Sequence, residues 1–253
     1  SRRSSSTVTH RAQVHCSVQV GSVQLPNPIM VASGTAGHST ELSAYLDLAN
    51  VAWEDAPPPM AACRADELRL LKDQLRSRTA VVPTSSMGRL FDVVSALAGV
   101  CQRSSYEGQA AMELETSAEA SAAPSTRPER YRFGWSAEAA GPLVVQWEPL
   151  LRAVTADARE GAGASVISAW FHDAVALLVA DLAADLAATT PVRRVGLTGG
   201  VFQNTRLLRL ACQRLEARGF RVLTHLVVPP NDGGLSLGQV AIGAARLRSS
   251  NWT

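Results

Sequence analysis

The sequence predicts an α/β fold, and three observations support this prediction. Apolar strand-like segments, glycine-containing turns and helical segments alternate between residues 194 and 248. Apolar residues recur at helical spacing over residues 171–188, which predicts a helix that packs one face against a core. The hydrophobic content of 46%, with 18% charged residues, is typical of a globular chain. In such folds ligands bind at the loops that follow the strands, so we expect a site there.

The N-terminal part of the chain is predicted to contain short strands and turns. Residues 14–25 alternate between apolar and polar side chains, which predicts a strand pair with Gly21 at the turn. A proline-rich joint at residues 55–60 separates this part from a region of different composition. The other elements expected here are a strand at 29–32, a turn of small residues at 33–37 and a helix at 40–48.

Helices, strands and one loop are predicted in the remaining chain. Residues 65–76 and 86–100 carry leucine and valine at helical spacing. Residues 116–129 are rich in alanine, serine, proline and glutamate and are predicted to form a surface loop. The other predicted elements are strands at 143–147, 194–197 and 221–227, helices at 148–160, 171–188, 204–218 and 233–248, and an apolar stripe formed by Phe171, Val175, Leu178, Val179, Leu182 and Leu186.

Composition and charge argue against several classes of protein. The chain has 24 basic and 22 acidic residues, and because the basic ones are scattered, no nucleic-acid-binding surface is expected. Its four cysteines include no C-x-x-C pair, which disfavours a zinc site and a disulfide-stapled secreted domain. No stretch predicts a membrane span or a signal peptide. We therefore expect a cytoplasmic protein with free thiols and without nucleic-acid or membrane partners.

Two glycine-containing segments near the C-terminus are candidates for ligand binding. In LTGGVFQN, residues 197–204, Gly199 and Gly200 follow a strand, where a backbone without side chains can approach a phosphate or a ribose. An ordinary strand-to-helix turn explains this pair equally well. In PNDGGLSLGQ, residues 230–239, Asp232 stands at the start of a helix. Taken alone, Asp232 is more simply interpreted as a helix N-cap.

A third candidate segment lies earlier in the chain. In PTSSMGRLFD, residues 83–92, Gly88 permits close approach of a ligand, and Asp92 follows one helical turn later. The alternative for Asp92 is a solvated carboxylate on a helix face. The segment YEGQA, residues 106–110, adds Gly108. If these segments converge with the two C-terminal ones, they form one binding site.

Together these segments resemble the hydrogenase-maturation carbamoyltransferases of the HypF type. The resemblance covers residues 51–248 and includes PTSSMGRLFD, YEGQAAMELE, FHDAV, LTGGVFQN and VPPNDGGLSLGQ in this order. It implies an incomplete lobe of the actin-like, sugar-kinase-like ATPase type. It also implies that the lobe holds a carbamoyl-adenylate, made from carbamoyl phosphate and ATP. The carbamoyl group would pass to a cysteine of a partner protein and later become the cyanide ligand of nickel-iron hydrogenases.

The resemblance further implies roles for individual residues, although it assigns no catalytic residue to this chain. Asn204 would hold the adenylate, and Asp92 would contact its ribose. The carboxylate of Asp232 would bind a divalent metal ion, Mg, Zn or Fe, which neutralises charge on the phosphate. The residues implied for nucleotide binding are Gly88, Asp92, Gly108, Gly199, Gly200 and Asn204.

The chain departs from the family pattern in its metal ligands. The family has two further ligands, histidines spaced H-x-x-x-H, whereas no pair among the five histidines here has that spacing. The acylphosphatase-like, zinc-finger and adenylate-forming domains of the family also have no counterpart in the sequence. Whether this chain catalyses the transfer is therefore open, and a non-catalytic nucleotide-binding or interaction module is the alternative. His172 is interpreted as a helix-packing or capping residue.

Residues 14–50 resemble a second family, the dihydroorotate dehydrogenases. The run VASGTAG at residues 31–37 is similar to the end of a strand that lines the flavin mononucleotide site of that β/α barrel. Only the opening strands have a counterpart, so a flavin oxidoreductase is the less favoured alternative. The two resemblances predict a strand segment of separate origin with its tail at residues 1–50 and a nucleotide-binding lobe at 51–253. We expect a truncated fusion made by deletion or rearrangement rather than an evolved fusion.

Overall fold

The structure, a computed structural model, divides into two compact units, residues 1–31 and 32–253. In the first unit, β1 (Val18–Val20) and β2 (Val23–Leu25) form an antiparallel pair in which Val18 lies opposite Leu25. This pair confirms the strands predicted within residues 14–25. The residues that the structure describes are 18–20, 23–25, 52, 57–77, 86–121, 129–137 and 143–249. The elements predicted at 29–48 and the boundary predicted between residues 50 and 51 lie outside the described residues.

The second unit is a mixed α/β structure in which helices predominate. Strands β3 (Gly134–Ala137) and β4 (Leu143–Gln146) pair antiparallel, whereas β5 (Arg194–Gly196) and β6 (Arg221–Leu223) pair in parallel. Short 3₁₀ turns, Gly200–Gln203 and Asp232–Gly234, precede the last two helices. The helices of the described part are α1 (Pro57–Ala62), α2 (Ala65–Ser77), α3 (Met87–Leu97), α4 (Gln109–Glu119), α5 (Glu148–Arg159), α6 (Ala164–Thr189), α7 (Thr205–Ala217) and α8 (Leu235–Ser249).

The long helix α6 lies at the centre of the core. It contacts α3, α4, α5 and α7, and its residues Ile167, Phe171 and Val175 are buried. Phe171 packs edge-on against Phe91 of α3, with the ring centroids 4.7 Å apart, an arrangement that aromatic rings prefer. Although α6 is long and apolar enough to cross a membrane, 61% of its apolar window is buried inside the fold. This burial is typical of a core helix.

The predicted helices and strands of the second unit are largely confirmed, with shifted ends. α6 begins at Ala164 rather than at residue 171, and the predicted apolar stripe ends before Leu186, whose side chain is exposed. β6 ends at Leu223 rather than at residue 227. The predictions confirmed in this way are the helices at 65–76, 86–100, 148–160, 171–188, 204–218 and 233–248 and the strands at 143–147, 194–197 and 221–227.

Two predictions about the chain between the helices were wrong. α1 occupies part of the predicted proline-rich joint, because proline is tolerated in the first turn of a helix, where its missing N–H would have no partner. α4 continues to Glu119 through residues that were predicted to be a loop, and this end of the helix includes alanine and glutamate, which favour helices. Residues 122–128 of that predicted loop lie outside the described residues. Strand β3 was not predicted.

Candidate functional site

A cleft of about 610 Å³ lies in the second unit, where four separate parts of the chain meet. These parts are the start of α3, the residues around the start of α4, and the two 3₁₀ turns before α7 and α8. Of the seven predicted site residues, six line this cleft: Gly88, Asp92, Gly108, Gly200, Asn204 and Asp232. The structure therefore brings together segments that the sequence analysis selected separately, while their binding roles remain predictions.

The seventh predicted residue, Gly199, lies beside the cleft and joins two of its turns. Its backbone N–H donates to the carbonyl of Pro230 at 2.7 Å. Gly199 has a φ of +104°, in the region that favours glycine, so a side chain here would strain the turn. Thr198 Oγ1 lies 3.5 Å from the same carbonyl and 2.9 Å from Nε2 of His225, which follows β6 rather than lying in a strand. The turns after β5 and before α8 are thereby held together.

Asp92 forms part of the cleft wall on α3. Ser86 caps this helix, since its side chain accepts a hydrogen bond from the Arg89 backbone N–H. The Arg89 guanidinium donates to Asp92 Oδ2 at 3.1 Å, and the side chain of Asp92 is 31% exposed. Asp92 is thus a partly buried, paired carboxylate rather than a freely solvated one.

Gly108 is the N-cap residue of α4 and provides no side-chain cap. Its φ of +78° places it in the left-handed region, where residues with a Cβ are disfavoured. A Cβ added here would meet no atom within 4 Å, so the space beside this backbone is open. The preceding loop is fixed by Gln109 Oε1, which accepts from the backbone N–H of Ser105 at 2.7 Å and from its hydroxyl at 2.9 Å. The result is an ordered loop that presents bare backbone to the cleft.

Asn204 is held by two hydrogen bonds from opposite sides. As the N-cap of α7, it accepts from the Leu207 backbone N–H through Oδ1 at 2.8 Å. Its Nδ2 lies 2.9 Å from Nε2 of His172, and Nδ1 of that ring lies 2.7 Å from the Ser168 carbonyl. His172 is fully buried, and the loss of solvation lowers its pKa to about 4, so the ring is neutral near pH 7. The prediction of a packed histidine is confirmed, but its contact with Asn204 was missed.

Glu115 is a second residue that the sequence analysis missed. It lines the cleft from α4, and its Oε1 accepts from the Thr205 hydroxyl at 2.6 Å and from the Arg206 backbone N–H at 3.0 Å. The carboxylate therefore satisfies donors at the start of α7, where the helix dipole favours negative charge. Nearby, a hydrogen bond from the Arg206 guanidinium lowers the pKa of the Glu119 carboxyl. These contacts fix α4 against the helix that carries Asn204.

The charges that line the cleft are mostly negative. Its carboxylates are Asp92, Glu107, Glu115 and Asp232, and its guanidinium group is that of Arg89. A phosphate-bearing ligand bound here would therefore be more stable with an accompanying cation. In the part of the chain that the structure describes, no three histidine, cysteine or acidic side chains lie together as a metal site requires. Residues of the described part thus do not form a metal site on their own.

Asp232 does not act as the N-cap of its 3₁₀ turn. Asn231 takes that role, because its side chain accepts from the Gly233 backbone N–H at 3.1 Å. Asp232 is the first residue of the turn, and it lines the cleft. The simpler interpretation of this aspartate as a cap was therefore wrong, and its carboxylate stays a candidate ligand for a cation.

Comparison with known proteins places this chain among carbamoyltransferases. Carbamoyltransferase HypF2 of Cupriavidus necator is 40% identical over a 200-residue alignment that covers 70% of this chain and 24% of that protein. Carbamoyltransferase HypF of Synechocystis is 35% identical over 167 residues, or 66% of this chain and 20% of that protein. The chain thus spans about a quarter or less of the length of these relatives.

Solved structures show the same likeness. A full-length HypF in the phosphate- and nucleotide-bound form matches 85% of this chain and 27% of its own, with a TM-score of 0.71 and 35% identity. The HypF of T. kodakarensis has a TM-score of 0.62 over 83% of this chain, at 24% identity, and supports the fold alone. The mixed α/β fold is therefore that of a HypF segment.

A family model described as carbamoyltransferase, Kae1-like domain, second subdomain, matches residues 26–239. The match begins directly after β2 and includes residues 26–50, which the sequence analysis assigned to a dihydroorotate dehydrogenase-like segment. These comparisons do not support the dihydroorotate dehydrogenase resemblance. Since this family model covers most of the sequence, this chain belongs to the Kae1-like domain family of the HypF-type carbamoyltransferases.

Proposed function

We propose that this chain binds an adenine nucleotide in the cleft and forms the nucleotide-holding part of a carbamoyl-transfer site. The observation that carries the proposal is the convergence of Asp92, Gly108, Gly200, Asn204 and Asp232 on one cleft. Its volume of about 610 Å³ falls within the usual range for small-molecule sites. A nucleotide-bound HypF that is 35% identical to this chain adds support.

The lining groups suit the parts of a nucleotide. A carboxylate accepts hydrogen bonds only, so Asp92 is matched to the hydroxyl groups of a ribose. Glycine turns at Gly88, Gly108 and Gly200 let the backbone approach the ligand closely. The Asn204 amide adds a donor at a fixed place, because its side chain is held by His172 and by the start of α7.

The proposed reaction moves a carbamoyl group from a carbamoyl-adenylate to a cysteine of a partner protein. The cysteine sulfur, having lost its proton, bonds to the carbamoyl carbon, and the bond from that carbon to the adenylate phosphate oxygen breaks. AMP leaves. The cleft contributes by holding the AMP portion in place for attack, which lowers the entropic part of the barrier. We assign no step to a metal ion, because Asp232 is the only metal-ligand candidate that the sequence resemblance places in this cleft.

We further propose that the second unit is part of an actin-like ATPase-type lobe that acts in hydrogenase maturation in the cytoplasm. The parallel pair of β5 and β6 supports this, because the turn that follows β5 leads into the cleft. The names of the HypF relatives support the carbamoyltransferase role.

Isothermal titration of the 253-residue chain with AMP and with ATP tests the proposal. We expect saturable binding of one nucleotide per chain. Asp92→Asn and Asn204→Ala should each weaken it by about tenfold, as the loss of one charged or well-placed hydrogen bond does. The matched control is Asp66→Asn on α2, since Asp66 is also paired with an arginine but is 62% exposed and does not line the cleft. No binding, or equal weakening by all three variants, would contradict the proposal.

A nucleotide-binding module without transfer activity is the second candidate. One observation favours it. The described residues form a cleft, but no three metal-ligating side chains among them lie together. Incubation of the chain with carbamoyl-adenylate and a thiol acceptor, followed by intact-mass measurement of the acceptor, separates the two candidates. AMP binding without carbamoylation of the acceptor would favour the binding module.

A further inference from the structure

The buried pair His172 and Asn204 determines how the Asn204 amide faces the cleft. A carbonyl oxygen only accepts hydrogen bonds, so the 2.7 Å contact with Ser168 requires the proton of His172 to be on Nδ1. The neutral ring then has an unprotonated Nε2, which can only accept. At 2.9 Å this nitrogen must receive a hydrogen from Asn204 Nδ2. The tautomer of one residue thus fixes the orientation of the other.

Both ends of the Asn204 side chain are therefore specified. Oδ1 accepts from the Leu207 N–H, and one hydrogen of Nδ2 is used by His172. An amide NH₂ has two hydrogens, so the second one remains for a ligand, as does the second lone pair of Oδ1. Serine or aspartate would cap α7 about as well as asparagine, but neither carries an amide donor. The contact explains why an amide serves here.

The imidazole is itself held rigidly by the core. The rings of Phe91 and Phe171 contact it edge-on, with centroids 5.3 Å and 6.0 Å from its own. Phe91 also lines the cleft, and His172 stands on the central helix α6. The ring therefore links the most buried part of the fold to a residue at the cleft surface.

We propose that His172 is a positioning residue that orients the Asn204 amide, so that the cleft offers an N–H donor to an acceptor oxygen of the nucleotide. This proposal rests on the nucleotide-binding function proposed above. His172 does not touch the ligand; it acts through Asn204. The matching part of the ligand is a hydroxyl, ribose-ring or phosphate oxygen, since each of these accepts a hydrogen bond.

AMP titration of three variants of the full 253-residue chain tests the positioning role. His172→Phe keeps a ring but removes the acceptor, and should weaken AMP binding by about tenfold. His172→Gln can donate to the Ser168 carbonyl and accept from Asn204, so its affinity should stay within about threefold of wild type. Val175→Ala, a buried change in the same helix, controls for general loss of core packing and should leave AMP affinity unchanged.

A double-mutant cycle distinguishes positioning from an indirect effect on the fold. If His172 acts through Asn204, His172→Phe should cause little further loss of AMP affinity in the Asn204→Ala background. An equal loss in both backgrounds, or wild-type affinity in His172→Phe, would overturn the proposal.

Nitrogen NMR of the imidazole rings gives a readout that does not depend on nucleotide binding. The His172 signals, assigned by their absence in His172→Gln, should show a protonated Nδ1 and a bare Nε2 that shifts in Asn204→Ala. A proton on Nε2 would overturn the proposal. If wild-type chain binds no AMP although Nε2 is bare and shifts as expected, the nucleotide function fails while the orienting contact stands.

Discussion

At the scale of single residues, the cleft depends on side chains that support both the fold and the candidate site. Asn204 caps α7 and lines the cleft. Glu115, on α4, accepts a hydrogen bond from the Thr205 hydroxyl at the start of α7. Asn204 could be predicted, because it lies within a motif. Its contact with His172 could not, because the two are 32 residues apart and only the packing of α6 against α7 brings them together.

Burial of His172 makes the stability of the fold depend on pH. Its pKa is about 4 in the folded chain, against an ordinary value of 6.5, because burial disfavours the charged ring. Between these values the unfolded chain binds more protons than the folded one, so the free energy of unfolding falls as the pH is lowered from 6.5 to 4. Urea denaturation over this range should show a loss of up to roughly 3 kcal/mol from this residue.

The variant His172→Gln provides the control for this pH dependence. The charged groups near the ring are Arg206, Glu115 and Glu119, and they remain in the variant. Glu119, whose pKa is lowered by Arg206, also loses stabilisation on acidification, and the comparison cancels its contribution. Identical pH profiles for wild type and His172→Gln would show that His172 is not neutral and buried as described.

At the scale of elements, periodic apolar spacing predicted most helices correctly. α3 follows from leucine and valine at helical spacing, because such a stripe needs a core to pack against. No helix was predicted at α4, since its alanine-rich sequence resembles that of a loop and its burial depends on the contact with α6. Apolar spacing therefore reveals helices with a leucine and valine stripe, whereas an alanine-rich helix gives no such signal.

The start of α4 can be tested with a matched pair of glycines. Gly108 and Gly161 have φ values of +78° and +81°, and a Cβ at either would meet no atom within 4 Å. Alanine at each should therefore lower the free energy of unfolding by a similar amount, about 1 kcal/mol, because the left-handed conformation is strained for residues with a Cβ. AMP titration should show weakened binding for Gly108→Ala alone, since Gly161 does not line the cleft. Equal AMP affinities of Gly108→Ala and Gly161→Ala would indicate that the ligand binds away from α4.

The link between α4 and α7 makes a second prediction at this scale. Glu115→Ala leaves the Arg206 N–H and the Thr205 hydroxyl without their acceptor, and should lower the free energy of unfolding by about 1–2 kcal/mol. Glu115→Gln keeps an acceptor oxygen, so its free energy of unfolding should fall by less. Urea denaturation at pH 7 measures both. Equal losses would show that charge near the start of α7, rather than the hydrogen bonds, provides the stabilisation.

At the scale of the whole molecule, the set of motifs predicted which residues share the cleft. The side-chain contacts within the cleft were not predicted. Six residues selected from separate segments line one cleft, although nothing in their spacing shows that α3, α4 and the two 3₁₀ turns meet. The boundary of the family match was less predictable, since it begins at residue 26 rather than near 51. Short apolar and small-residue segments such as 29–37 occur in many folds, which is why their resemblance to a barrel strand was weak evidence.

The most direct test of the cleft is an NMR titration of the ¹⁵N-labelled chain with AMP. The backbone amides of Gly88, Gly108, Gly200 and Gly233, which line the cleft from its four parts, should all shift along one saturation curve with a single Kd. The Gly161 amide, which does not line the cleft, serves as the internal control and should not move. Shifts at only one of the four segments, or no saturable shift at any of them, would contradict a common nucleotide site.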